Sequence, residues 1–313
     1  MADPGIGRSE VLGARERIDR YVRRTPVLEL EPRAFGLECR ITLKLELTQH
    51  TGSFKPRGAF NKLLSSDVPD VGVIAASGGN FGLAVAHAAR TLGHRAEIFL
   101  PSNSPKVKAE RIRALGAEIT VVDGYYDEAL DASRGRAEES GALVMHAYDQ
   151  PEIVAGQGTV GAELADQVPD ADTVLVAIGG GGLIGGIGAW YEGRTRVIGV
   201  EPGTSTCMTS ALAAGGPVDV TYSGYASDSL GTKRAGEIAF AVVSRYVERV
   251  VLVSDDAIRD AQRRLWREVR NFAEPGGATA LAALLSSAYV AEPGEHVVVV
   301  VCGANGDLSA ISE

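Results

Sequence analysis

Cysteine is scarce. The chain of 313 residues has three, Cys39, Cys207 and Cys302, far apart and without the spacing of metal ligands. Such an odd, sparse set argues against a disulfide framework and for a reducing compartment. An excess of positive charge is also missing. Lys and Arg number 31 against 40 Asp and Glu, a net charge of −9, which argues against a surface for nucleic acid or anionic membrane. Glycine or charge interrupts every apolar run before membrane-spanning length. The stretch Met1-Ala2-Asp3-Pro4-Gly5-Ile6-Gly7-Arg8 has no apolar core of the kind a signal peptide needs. Repeats and low-complexity tracts are absent as well. A soluble, cytoplasmic protein is the expectation, without nucleic-acid or membrane partners. What the chain does have is core material: 45% of its residues are hydrophobic, enough for one or two domains.

The patterning is that of an α/β protein. A helix over 9–22, a strand over 41–47 and a helix over 56–64 come first. A break at Val68-Pro69-Asp70 then opens a regular alternation, with strands at 71–76, 94–100, 117–122 and 142–145 and helices at 81–93, 105–115 and 127–140. This spacing predicts a parallel sheet covered on both faces, and residues 71–147 read as one compact α/β unit. A second series follows: strands at 172–178, 194–200, 249–253 and 296–301, among helices at 154–167, 183–191, 206–214, 234–244, 255–270 and 276–289.

Three places carry chemistry. In Thr51-Gly52-Ser53-Phe54-Lys55-Pro56-Arg57-Gly58-Ala59-Phe60, Pro56 suits the first turn of a helix, so Lys55 sits at a loop-to-helix junction beside the flat ring of Phe54. A lysine that attacks carbonyls needs such an apolar wall to lower its pKa. Ser77-Gly78-Gly79-Asn80 lies between a buried strand and a helix start, where small residues let backbone N–H groups converge on an anion. Gly179-Gly180-Gly181-Gly182-Leu183 repeats that arrangement with a closer backbone cradle, fit for a phosphate. This last segment has a rival reading. Gly180-x-Gly182-x-x-Gly185, with Glu201 about 20 residues on, fits a dinucleotide fingerprint. Lys55 has no use in that reading. A catalytically dead regulatory module, in turn, would tolerate loss of Lys55, which is intact.

Ser53-Phe54-Lys55-Pro56-Arg57-Gly58-Ala59 resembles the cofactor-lysine motif of fold type II pyridoxal-phosphate enzymes, and within them the serine/threonine dehydratases and serine racemases. The likeness covers nearly the whole chain. It implies a two-domain fold like the β subunit of tryptophan synthase, with 1–70 and 148–313 as the large cofactor-binding domain and 71–147 as the small one. It implies that Lys55 holds pyridoxal phosphate as a Schiff base and is the catalytic base. Phe54, Asn80, Gly179, Gly180, Gly181, Gly182, Leu183 and Cys302 would contact the cofactor, Cys302 at its pyridine nitrogen. Ser77, Gly78, Gly79, Asn80 and Phe81 would contact an amino-acid substrate. Glu274 would have a supporting role near the pyridine side.

The implied reaction is β-elimination of a 3-hydroxy amino acid such as L-threonine or L-serine, with racemisation or β-replacement as alternatives. The implied assembly is a homodimer. No metal is expected: Glu201 matches one acid of a cation site in the racemase branch, but Cys207 stands where the second would be. Phe81 predicts neutral or apolar β-substituents over 3-hydroxyaspartate, since no partner for a second carboxylate is visible beside it. Gly78 stands where the racemase branch has a serine, so little racemisation is expected.

Overall fold

The computed structural model describes residues 5–308 except Asn103, Pro105 and Tyr125. Residues 1–4, read above for a leader, and Pro105, the expected start of a helix, lie outside the described residues. The chain opens with α1 (Arg8–Ile18), β1 (Val27–Glu29), β2 (Arg40–Lys44) and α2 (Pro56–Leu64). There follow β3 (Val73–Ala76), α3 (Asn80–Leu92), β4 (Ala96–Pro101), α4 (Lys106–Ala114), β5 (Glu118–Val122), α5 (Tyr126–Ser140) and β6 (Leu143–Val144). The third stretch is α6 (Pro151–Gln167), β7 (Thr173–Ala177), α7 (Gly182–Tyr191), β8 (Arg196–Pro202), α8 (Cys207–Ala214) and α9 (Ser227–Leu230). The last is α10 (Glu237–Tyr246), β9 (Arg249–Val253), α11 (Asp255–Val269), α12 (Pro275–Leu285) and β10 (His296–Val300).

Two sheets result. One has six strands in the order β1-β2-β10-β7-β8-β9 and the other four in the order β5-β4-β3-β6. Both are parallel except for β1, which pairs antiparallel with β2 at the edge of the larger sheet. Every residue of β7 and β10 is buried, as the unbroken Val-rich runs of strands covered on both faces require. A core cluster built on the six-stranded sheet includes Leu43, Val176, Ile184 and Val299. A second joins the four-stranded sheet to α3 and α2 through Val73, Ile98, Val85, Ala59 and Phe60. The helix after Lys55 therefore packs with the smaller sheet's core. Among the described residues no helix is long and apolar enough to cross a membrane.

The structure departs from the patterning in instructive places. The strand expected over 41–47 ends at Lys44, and short 3₁₀ turns follow at Glu46–Thr48 and His50–Gly52. The reason is Glu46, fully buried, whose carboxylate turns to Arg57. The helix expected from residue 154 starts at Pro151, with proline in the first turn. Strand β1 and the four-residue α9 were not expected; runs this short leave no period to read.

Candidate active site

Parallel strands place ligands at their carboxyl ends, and here three such ends meet. Strand β3 leads into the 77–80 loop, β7 into the glycine loop, and β10 into Cys302. The stretch before α2 joins them: Phe54 N–H donates to the Cys302 carbonyl at 3.2 Å, and Ser53 bridges Gly303. A cavity of about 860 Å³ lies between. Its wall contains Phe54, Lys55, Ser77, Gly78, Gly79, Asn80, Phe81, Gly179, Gly180, Gly181, Gly182, Leu183, Glu274 and Cys302. All the residues singled out for cofactor and substrate thus face one space.

Lys55 donates to the Ala147 carbonyl at 2.8 Å. Its Nζ stands 5.1 Å from the centre of the Phe54 ring and 5.6 Å from that of Phe81. Among the described residues it has no carboxylate at ion-pair distance. Burial lowers its pKa to about 8, only partly opposed by the nearby Glu274 carboxylate. A usable fraction of the amine is therefore unprotonated near neutrality.

Two residues on, Arg57 has the opposite surroundings. Its guanidinium donates to both oxygens of Glu46, at 2.8 and 2.7 Å, and to Glu163 at 3.0 Å. Lys44 donates to Glu163 at 2.5 Å and to the Thr25 carbonyl at 2.9 Å. Burial alone would lower the Arg57 pKa, but the two carboxylates outweigh it and the net shift is upward. For Lys44 burial prevails and the pKa falls. This cluster anchors the first turn of α2 from behind and so fixes where Lys55 points.

Both anion cradles are helix starts. Helix α3 begins at Asn80, and the Gly79 N–H donates to Ser77 Oγ at 3.3 Å. The Asn80 amide nitrogen donates to Glu274 at 2.5 Å, and its oxygen accepts from Asn305 at 2.7 Å. Helix α7 begins at Gly182, and the preceding Gly181 has φ +94°, open to glycine but strained for other residues. A Cβ on Gly180 would lie 2.4 Å from the Tyr148 ring, and one on Gly181 2.6 Å from Ala239. The Cys302 thiol donates to the Gly276 carbonyl at 3.5 Å. Burial, with Glu274 adding to it, pushes its pKa up to about 12, so it stays protonated.

Glu201 decides between the two readings of the glycine loop. Its fully buried carboxylate accepts from the backbone N–H groups of Met208 and Thr209, at 2.8 and 2.9 Å, and from the Thr209 hydroxyl at 2.6 Å. It caps α8 and does not line the cavity. The acid that a dinucleotide ribose would need is committed elsewhere. Among the described residues, no group of three or more His, Cys, Asp or Glu gathers around a point where a metal could sit.

A sequence model described as pyridoxal-phosphate dependent enzyme matches residues 18–303. The chain belongs to this family. It is 37% identical over 276 residues to the L-threonine ammonia-lyase of Thermotoga maritima, covering 87% of this chain and 68% of that protein. To the biosynthetic L-threonine dehydratase of Haemophilus influenzae it is 35% identical over 289 residues, 90% of this chain and 56% of that protein. The chain thus spans little more than half the length of some curated relatives. Maize serine racemase superposes with a TM-score of 0.92 at 32% identity, covering 98% of this chain and 96% of that one. Processed threonine deaminase isoform 2 of Solanum lycopersicum gives 0.92 at 31%, covering 97% and 85%. The fold is that of fold type II pyridoxal-phosphate enzymes, and the donor set fits the family's cofactor. An amine is held near neutrality, a glycine cradle opens a helix, and a thiol is kept protonated.

Sequence reasoning missed several residues of the wall, among them Tyr148, Arg111, Arg134 and Asn305. Tyr148 had a signal, since it follows β6 at the carboxyl end of a parallel strand. Arg111 and Arg134 had none, each being one of two arginines on a helix rich in charge.

Proposed function

We propose that the protein eliminates water from a 3-hydroxy amino acid, giving ammonia and a 2-oxo acid. Lys55 carries the reading: its amine faces the cavity, its pKa is lowered to about 8, and it has no carboxylate partner among the described residues. When bound, pyridoxal phosphate supplies the electron sink that makes the α-hydrogen acidic. Lys55 holds the cofactor through Nζ and, once displaced by the substrate's amine, takes the α-proton at that atom. Gly179 to Leu183, at the start of α7, hold the phosphate. Asn80 donates to the phenolic oxygen, and Ser77 with the α3 terminus holds the substrate carboxylate. Cys302 would offer the pyridine nitrogen a neutral partner, a weaker sink that favours β-elimination over transamination, and the β-hydroxyl would leave as water with a proton from the cofactor phosphate that Gly179 to Gly182 would hold. Phe54 and Phe81 keep water from the amine. The released enamine hydrolyses to the oxo acid.

We further take residues 71–147, which contain the four-stranded sheet, as the small domain, with 1–70 and 148–313 as the large. A reducing, cytoplasmic setting is supported by three cysteines that are free and buried. A homodimer is inferred from resemblance alone, and light scattering tests it.

The test of the reaction is a visible spectrum and an oxo-acid assay. A yellow protein that turns L-threonine into 2-oxobutanoate and ammonia is expected. A colourless one that binds NAD and ignores pyridoxal phosphate would overturn the reading. Racemisation is the second reading, and one observation favours it. The Ser104 hydroxyl lies 3.3 Å from where a side chain on Gly78 would begin, so the cavity wall beside Gly78 has a hydroxyl from elsewhere in the chain. Chiral chromatography of a serine reaction separates the two: D-serine formed as fast as pyruvate would make this a racemase.

A further inference from the structure

The cavity is divided in charge. Among the described residues, its lining from residue 77 to residue 134 includes two arginines, Arg111 and Arg134, and no carboxylate. The acids of the opposite wall have partners. Asp149 accepts from the Glu237 and Ile238 N–H groups, each at 3.1 Å. Asp219 and Glu237 pair with Arg234 at 3.4 and 3.2 Å, and Glu274 holds the Asn80 amide. The arginines are not matched in this way. Among the described residues, the carboxylate partner of Arg134 is Asp131, one turn away at 3.6 Å and largely exposed. Arg111 has no carboxylate partner among the described residues; its guanidinium donates to Asn305 Oδ1.

That contact places the charge. Asn305 donates in turn to Asn80 Oδ1 at 2.7 Å, so the guanidinium stands one amide beyond the first residue of α3. The lining on this side also includes the apolar side chains of Phe81, Leu83, Pro101 and Leu130, while Arg111 itself is exposed. A guanidinium on the cavity wall matches a planar carboxylate with paired hydrogen bonds.

Resting on the elimination reading, we propose that Arg111 binds a second anionic group on the substrate's β-carbon. The preferred substrates are then 3-hydroxy amino acids with a second carboxylate, of which 3-hydroxyaspartate is the smallest. The α-carboxylate remains with the 77–80 loop. This reverses the expectation drawn from Phe81, which held only while no partner for a second carboxylate was visible. Lacking a carboxylate of its own, Arg111 needs only to exchange the Asn305 amide for the substrate's.

The experiment compares L-threonine with both diastereomers of L-3-hydroxyaspartate on the holoenzyme, for the unmodified protein, Arg111→Met and Arg111→Lys. A hydroxyaspartate isomer should have the higher kcat/KM. Arg111→Met should lower that value about thirtyfold more than it lowers the value for threonine, with Arg111→Lys between. Equal losses on both substrates would overturn the proposal and assign Arg111 to the α-carboxylate. Threonine preferred by the unmodified enzyme would overturn it as well. Calorimetry with maleate, a dicarboxylate that cannot react, reads the site without turnover: Arg111→Met should weaken its binding about tenfold, and an unchanged Kd would sink the proposal. If neither amino acid is consumed, the elimination reading fails, and the maleate measurement still decides for or against Arg111.

Discussion

Lys55 and Arg57 are two residues apart, both cations turned into the protein, and they differ in company. Arg57, 1% exposed, meets two carboxylates. Lys55 meets a carbonyl and two aromatic faces. A cation with matched anions keeps its charge and becomes a structural pin. One without them loses proton affinity and becomes a base or nucleophile. One short stretch supplies both, because its loop residue faces the cavity while the first turn of α2 faces α6.

The sharpest way to break this comparison is at Lys55. Lys55→Ala should abolish oxo-acid formation, at least a thousandfold, and leave no cofactor attached after denaturation, with circular dichroism unchanged. Residual yellow colour carried through denaturation would assign the attachment to another lysine. The pH dependence sharpens it. Only the neutral amine attacks, so the rate at which apoprotein takes up pyridoxal phosphate should rise about tenfold per pH unit and level off above about 8. An ordinary lysine would go on rising toward about 10.4.

Arg57 comes next. Arg57→Met leaves Glu46 buried, with Lys44 4.0 Å away as its remaining cation. Urea unfolding should show a loss of about 3–5 kcal/mol, the usual result of breaking a buried pair from one side. A variant as stable as the parent would mean that Glu46 takes up a proton at little cost.

The two cations were not equally legible in the sequence. Lys55, the glycine cradles and Cys302 each belong to a short stretch whose order alone points to a loop or strand end. The partners of Arg57 do not. Glu163 is 106 residues away along the chain and looks like any acid on a helix. Glu46 continued the pattern of a strand, and only its ion pair shows why the chain turns there instead. Arg111 was invisible for the same reason, since its meaning depends on Asn305, 194 residues on. The sheets were legible because strand and helix periods are local. The antiparallel β1, three residues long, was not.

A smaller effect belongs to the cradle. Gly181→Ala combines a φ of +94° with a Cβ 2.6 Å from Ala239. Strain of about 1–3 kcal/mol is the general size of such a change. If α7 shifts to relieve it, the phosphate loses alignment, and the Kd for pyridoxal phosphate should rise about tenfold. Equilibrium dialysis measures this, and an unchanged Kd would place the phosphate away from this loop.

The smallest effect is expected at Cys302, and it tests the chemistry most finely. Its thiol is held protonated, with a pKa of about 12, by burial and by Glu274. If its role is that of a neutral hydrogen-bonding group, neither thiolate nor sulfur is required. Serine has a hydroxyl that is also neutral at working pH and keeps a donor within reach of the Gly276 carbonyl. Cys302→Ser should therefore change kcat for elimination by about threefold or less, with the visible absorption maximum in place. Cys302→Asp instead adds a charge, with a somewhat larger side chain that only accepts, and a carboxylate there would favour a protonated pyridine nitrogen and a stronger electron sink. Elimination should slow and the ratio of transamination to elimination should rise, read as pyridoxamine phosphate accumulating during turnover. Should serine and aspartate behave alike, the electrostatic argument fails and Cys302 is left as a packing residue at the end of β10.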